Sequence, residues 1–333
     1  MIKLSALIAF AVCLLALPVK AQQTTVFTEA NLAYKKGEDF FQKGVYGYAL
    51  AEYENAVNLL LPVNEPSWDL LRMHAELGYA KSAVRLDMPD GEDLIINFIR
   101  KYKPDPLASQ AQLEVANYFY NAGKYDKAID FYKQISPRDL TSSQTAEVYF
   151  KLGYSYFVRK KFSEAETNFK EVKDIPTEYF YPANYYYGLC KFFKSDYNEA
   201  IKSFRLVERS RTYKPHVPYY ITQIYFAQRD FDQVIRYAEP KLKNRTIRKS
   251  REMHQLAGQA YFEKGEYDQA LKIINSSSKS KHDYINDEKK ILKADILASL
   301  GKKEEGINLL NELLFKAGSK IPKDYILLKL AKN

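Results

Sequence analysis

The side chains able to do chemistry are few and scattered. His74, His216, His254 and His282 lie far apart in a chain of 333 residues, and none has a second metal-ligand type three or four positions later. No single helix face therefore offers a metal-ligand pair. Gly123-Lys124-Tyr125 and Gly301-Lys302-Lys303 join glycine to lysine but lack the upstream glycine and the following Ser or Thr of a phosphate-cradling loop. Cys190 follows Gly188 beside Tyr185, Tyr186 and Tyr187, with no base placed to activate it, and reads as a buried thiol used as a small apolar group. These features predict no enzyme, no cofactor and no metal.

Two groups of residues point instead to binding. An aromatic directly follows the core aromatic of many first helices, at Phe41, Tyr120, Phe157, Phe192, Phe226 and Phe262, with Tyr34, Tyr154, Tyr185 and Tyr219 expected nearby. One residue is about 100° around a helix, so these rings turn away from the core position toward an inner, concave side. Simple packing is one reading; a ladder of rings gripping an extended peptide or a helix is the other. The second group is the run KLKNRTIRKSR at 241–251, with Lys241, Lys243, Arg245, Arg248, Lys249 and Arg251 and no acid. It reads either as a solvated helix end and loop or as a site for an acidic partner or an anionic membrane surface.

The elements that position these groups repeat. Ala49, Ala128, Ala165, Ala200, Val234, Ala270 and Gly306 form a series whose last five gaps are 37, 35, 34, 36 and 36 residues, the period of a helical-hairpin array. Tyr46, Tyr125, Phe162, Tyr197, Phe231 and Tyr267 precede six of them by three places, and a large group such as Tyr53, Tyr132, Phe169, Phe204, Ile274 or Leu310 follows four places on. The small residue lets two helix backbones meet closely, and the large one fills the groove between hairpins. In the preceding helix a small residue pairs with a bulky one three places later, as in Gly37 and Phe40, Ala116 and Phe119, Gly153 and Tyr156, Gly258 and Tyr261. Prolines at 62, 104, 137, 176 and 215 close repeats.

On these residues the chain resembles the tetratricopeptide repeat family, most clearly at 112–137 and 149–172. The resemblance implies an all-α fold, a right-handed superhelical solenoid of about eight antiparallel helix pairs. It also implies a protein-protein interaction scaffold with a concave groove. The segment 67–104 lacks the aromatic and alanine pair and is assigned as a degenerate repeat by spacing alone, while Pro240 is expected to shorten or bend its helix. The solenoid is placed at 30–317, after a short segment at 22–29. Residues 318–333 form a capping helix or the start of a further repeat.

Lys3, the apolar run Leu4 to Leu17, Pro18 and Val19-Lys20-Ala21 read as a secretory signal peptide over 1–21. Fourteen apolar positions fall short of the ~20 that span a bilayer. With Cys13 in that segment, Cys190 has no partner for a disulfide. The formal net charge of +9, mixed with acids throughout, suits a soluble chain and does not single out nucleic acid. Similarity to exported bacterial members of the family implies a periplasmic or outer-membrane-associated setting in a gram-negative cell envelope, with protein partners. A glycan-binding uptake component is the runner-up, given the 28 Tyr and 19 Phe.

Overall fold

The computed structural model describes residues 24–244, 246–277, 283–316 and 319–332; the signal segment 1–21, Arg245 and His282 lie outside them. The chain divides into two compact units, 1–159 and 160–333. In the first, α1 (24–42), α2 (Tyr46–Leu60), α3 (Asp69–Arg85), α4 (Gly91–Tyr102), α5 (Pro106–Asn121), α6 (Tyr125–Lys133) and α7 (Ser142–Val158) follow one another. In the second come α8 (Phe162–Val172), α9 (Phe180–Phe193), α10 (Tyr197–Val207), α11 (Val217–Ala227), α12 (Phe231–Leu242), α13 (Ser250–Glu263), α14 (Tyr267–Ser276), α15 (Asp283–Ser299), α16 (Lys303–Leu314) and α17 (Lys323–Lys332). No strand occurs among the described residues. The fold is an all-α array of short helices joined in pairs, as the repeat period requires.

A single backbone device makes each hairpin turn. Gly44, Asp87, Gly123, Lys160, Ser195, Arg229, Gly265 and Gly301 all take a positive φ, between 56° and 78°. The amide after such a residue donates back into the last turn of the helix: Val45 to the Phe40 carbonyl, Lys124 to Phe119, Asp196 to Lys191 and Glu266 to Tyr261, each at 2.9 Å. This arrangement satisfies carbonyls that the ending helix would leave open. Helices α2, α6, α8, α10, α12 and α14 then begin on the aromatics expected to open them.

Ala49, Ala128, Ala165, Ala200, Val234 and Ala270 are fully buried. The reason is closeness of approach, shown at Gly306, where an added Cβ would lie 2.9 Å from the Ala294 carbonyl oxygen. The large residue four places on fits against glycines of first helices. Tyr53 fills the space beside Gly37 and Gly78, Phe204 the space beside Gly188, and Ile274 the space beside Gly258. Thr222 stands where a glycine would, fully buried, with its hydroxyl donating to the Pro218 carbonyl at 2.7 Å.

The segment 67–104 is also a helix pair, α3 and α4. Its turn is the same, with Asp87 at φ 56° and the Met88 amide donating to the Ala83 carbonyl at 3.1 Å. The second helix starts later, however, and Gly91 makes the close approach, its would-be Cβ lying 2.9 Å from the Ala83 carbonyl carbon. Pro240 does not shorten its helix: α12 runs on to Leu242, 12 residues in all. Pro240 lacks the amide that would bond the carbonyl four residues back, a loss confined to the last turn of the helix.

At the other end, α17 packs on α16 and buries Ile326 completely. The buried carboxylate of Asp287 holds the approach to α17 by accepting from Lys316 Nζ at 2.8 Å and Ser319 Oγ at 3.0 Å.

Candidate functional site

The predicted rings share a local role. Phe41 meets Tyr46 edge-on with centroids 5.2 Å apart, Tyr120 meets Tyr125 at 5.9 Å, Phe226 meets Phe231 at 5.7 Å, and Phe262 contacts Tyr267 at 5.5 Å and Phe192 contacts Tyr197 at 6.3 Å in tilted pairs. Each pair spans one hairpin turn, five residues apart, so each ring packs on the aromatic that opens the next helix and is half-buried.

Cations of the chain add to this. Arg85 lies 4.4 Å from Tyr118 and 5.9 Å from Phe41, where Lys81 approaches to 5.1 Å; Lys151 lies 5.5 Å from Tyr120. Such contacts contribute about 0.5–1 kcal/mol each where exposed.

Within each unit some of these residues come together. Tyr120 and Tyr154 touch edge-on at 5.8 Å in the first unit, while Phe157 on α7 is half-buried. In the second, Tyr185 is buried and stacks on Tyr213 at 4.7 Å, and Phe192 and Tyr219 both meet Tyr220, at 5.5 Å. Burial pushes the Tyr185 hydroxyl well above the usual phenol range.

The basic run divides. Lys241 lies over the Tyr237 ring at 4.0 Å and faces Glu208 at 3.5 Å, so its charge is matched inside the fold. Lys243, Arg248 and Lys249 are exposed, and Arg251 is half-buried.

Phe262 belongs to a larger feature. It lines a cavity of about 530 Å³ in the second unit between α13, α15 and α17. The polar walls are internally bonded: Gln255 Nε2 donates to Glu288 at 3.2 Å, Gln259 Nε2 to Glu263 at 2.7 Å, and Lys329 Nζ to Asp295 at 2.6 Å. Phe262, Tyr325 and Pro322 supply apolar surface. Amides, carboxylates and rings of this kind can hold a chain segment by hydrogen bonds and apolar contact, and they include no histidine, cysteine or serine that could act as a nucleophile. Sequence reading missed Gln255, Glu288, Asp295 and Lys329 because polar residues on three separate helices carry no short-range spacing. The 34-residue interval from Asp295 to Lys329 is the one trace of them.

Elsewhere the chemistry stays quiet. Among the described residues no three His, Cys, Asp or Glu side chains are placed to hold a metal. Cys190 is fully buried, and burial, followed by the Glu166 charge, pushes its thiol up to about 12. The His254 Nδ1 lies 2.7 Å from the Ser250 carbonyl. No helix among the described residues is long and apolar enough to cross a membrane.

Tandem helix pairs, αL turns and small-to-large packing between hairpins define a helical-repeat protein. Residues 86–143 match the tetratricopeptide repeat family model, a stretch that takes in α4 as well as α5 and α6. The apo form of RapI is similar in fold, with a TM-score of 0.52 at 11% identity over 91% of this chain and 96% of that one. A tetratricopeptide repeat protein from Parabacteroides merdae aligns over 91% of this chain and 98% of its own at 14% identity and TM-score 0.41. MamA aligns over 59% of this chain and 94% of its own at 20% identity and TM-score 0.44. No curated protein matches the chain. The chain is similar to tetratricopeptide repeat proteins, by the family model over residues 86–143 and by its fold.

Proposed function

We propose that this protein is a non-enzymatic, exported scaffold of the bacterial cell envelope that binds a protein partner along the faces of its first helices. The observation that carries the reading is the cavity between α13, α15 and α17, where first helices of successive repeats leave room beside Phe262 for a partner segment. Helix α17 supports this reading, as a short helix of the chain itself seated beside the cavity through Ile326 and the Lys329–Asp295 pair. Peptide and helix recognition in grooves of this kind uses a few apolar anchors framed by polar contacts. Export rests on the signal-like pattern of residues 1–21. Glycan stacking fits less well, because the rings are taken up by ring contacts within the fold, edge-on, tilted or stacked.

Photoreactive residues at Gln259 and Phe262 are expected to capture a protein in intact cells. Position Lys272, exposed on the second helix α14, is expected to capture little. Capture from Lys272 alone would remove the proposal.

A further inference from the structure

The structure joins two loops that are far apart in sequence. Residues 208–216 link α10 to α11 and carry Arg211, Lys214 and His216; residues 243–249 link α12 to α13 and carry Lys243, Arg248 and Lys249. The Arg248 amide donates to the Pro215 carbonyl at 2.8 Å, and Lys249 Nζ lies 4.4 Å from the Tyr219 ring on α11. All six side chains are exposed, and no acid occurs in 209–217 or 240–251. Among the described residues, Arg211, Lys214, Lys243 and Arg248 form no ion pair.

The backbone adds to the same field. Helices α11 and α13 both start at these loops with no side-chain cap, whereas Asp105 and Thr141 cap α5 and α7. The open amides at the α13 start carry partial positive charge, offset in part by Glu252 in its first turn; at α11 the Val217 amide donates to the Tyr213 carbonyl and Pro218 has no amide. Local desolvation and then the Arg248 charge hold the His216 imidazole below the ordinary range.

We infer that these two loops form one composite docking surface for an acidic protein segment rich in Asp and Glu. Guanidinium and ammonium groups with no carboxylate of their own recognise carboxylates from outside. The large exposed apolar residues of this unit are Phe193, Leu206, Phe315, Tyr325, Leu327 and Leu328, none of them in either loop. A bilayer would thus find no apolar wedge to take up, which favours a protein over a membrane. The surface adjoins Tyr213 and Tyr219 beside the first-helix faces, so the inference rests on the scaffold reading and adds the chemistry of its partner.

The test uses the full chain and a fluorescent octaglutamate peptide, with binding followed by anisotropy. Three double variants are compared: Arg211→Glu/Lys214→Glu, Lys243→Glu/Arg248→Glu, and the control Lys302→Glu/Lys303→Glu at the exposed start of α16. Each loop variant is expected to weaken binding about tenfold and the control by about twofold or less, with affinity falling as salt rises.

Equal losses in all three would reduce the effect to net charge and overturn the inference, and loss from one loop alone would overturn the composite surface. Binding of phosphatidylglycerol vesicles without binding of octaglutamate would replace the acidic segment by a membrane. Circular dichroism checks folding, and Arg211→Gln with Arg248→Gln stands in for any charge reversal that unfolds. Crosslinking from Gln259 and Phe262 reads the scaffold proposal separately, so either idea can fail while the other stands.

Discussion

The Tyr53 ring occupies the space that a side chain on Gly78 would need: a Cβ there would lie 2.4 Å from the ring. Gly37 holds the other side at 2.8 Å, and the Tyr53 hydroxyl bonds Glu38. The ring is thus clamped between a hairpin and its successor. Gly78→Ala is expected to destabilise the protein by about 1–3 kcal/mol, because overpacking outweighs the roughly 0.5–1 kcal/mol that alanine gains in a helix. Gly47→Ala, on an open face of α2 with nothing within 4 Å, is expected to stabilise by about that smaller amount. Urea midpoints of the two variants should therefore move in opposite directions.

The turns make a second prediction. Lys160 and Ser195 hold φ of 59° and 61°, a conformation that costs an L-residue about 1–2 kcal/mol and a glycine almost nothing. Lys160→Gly and Ser195→Gly relieve this, offset by about 0.5–1 kcal/mol of added freedom in the unfolded chain. A net gain of up to about 1 kcal/mol is expected for each, seen as a raised thermal midpoint. A fall in both would show that the turn is set by side-chain contacts instead.

Acid should weaken the fold through His254. Burial, with the Lys289 charge acting in the same direction, lowers its pKa below the ordinary 6.5 despite the opposing Ser250 hydrogen bond. The unfolded chain then takes up the proton first as the pH falls through about 6.5, so stability declines with acidification and levels off below the folded-state pKa. His216 acts in the same sense. In urea melts at pH 7 and pH 5.5, His254→Gln should lose less stability than the parent. Identical losses would assign the acid sensitivity elsewhere.

Cys190 offers a probe of the second unit. A thiol raised to about 12 and fully buried has almost no thiolate at pH 8, and the thiolate is the reactive form. Iodoacetamide should label it slowly in the native protein and rapidly once urea opens the unit. Fast labelling without denaturant would contradict the packing around α9.

Much of the fold was legible because each repeat solves the same packing problem with the same side chains. The aromatics at Tyr46, Tyr125, Phe162, Tyr197, Phe231 and Tyr267 named the first residues of six helices. The segment 67–104 was harder: Gly91 does the close packing from a helix that starts late, outside the register set by the alanines. The rings after the core aromatics were visible in the pattern, but their contacts with the aromatics across the turn were not, since a half-buried ring that packs and one that binds have the same spacing.

The sequence alone determined the repeat, the hairpins and the small-to-large fit between them, because these depend on contacts a few residues or one period apart. Only the tertiary structure decided where three helices leave a cavity beside Phe262. It alone brought Arg211 and Lys214 next to Arg248, through the bond from the Arg248 amide to Pro215. Those arrangements follow from how successive hairpins stack: the residues brought together lie about one repeat apart, but which side chains at that spacing meet is set by the packing of the helices.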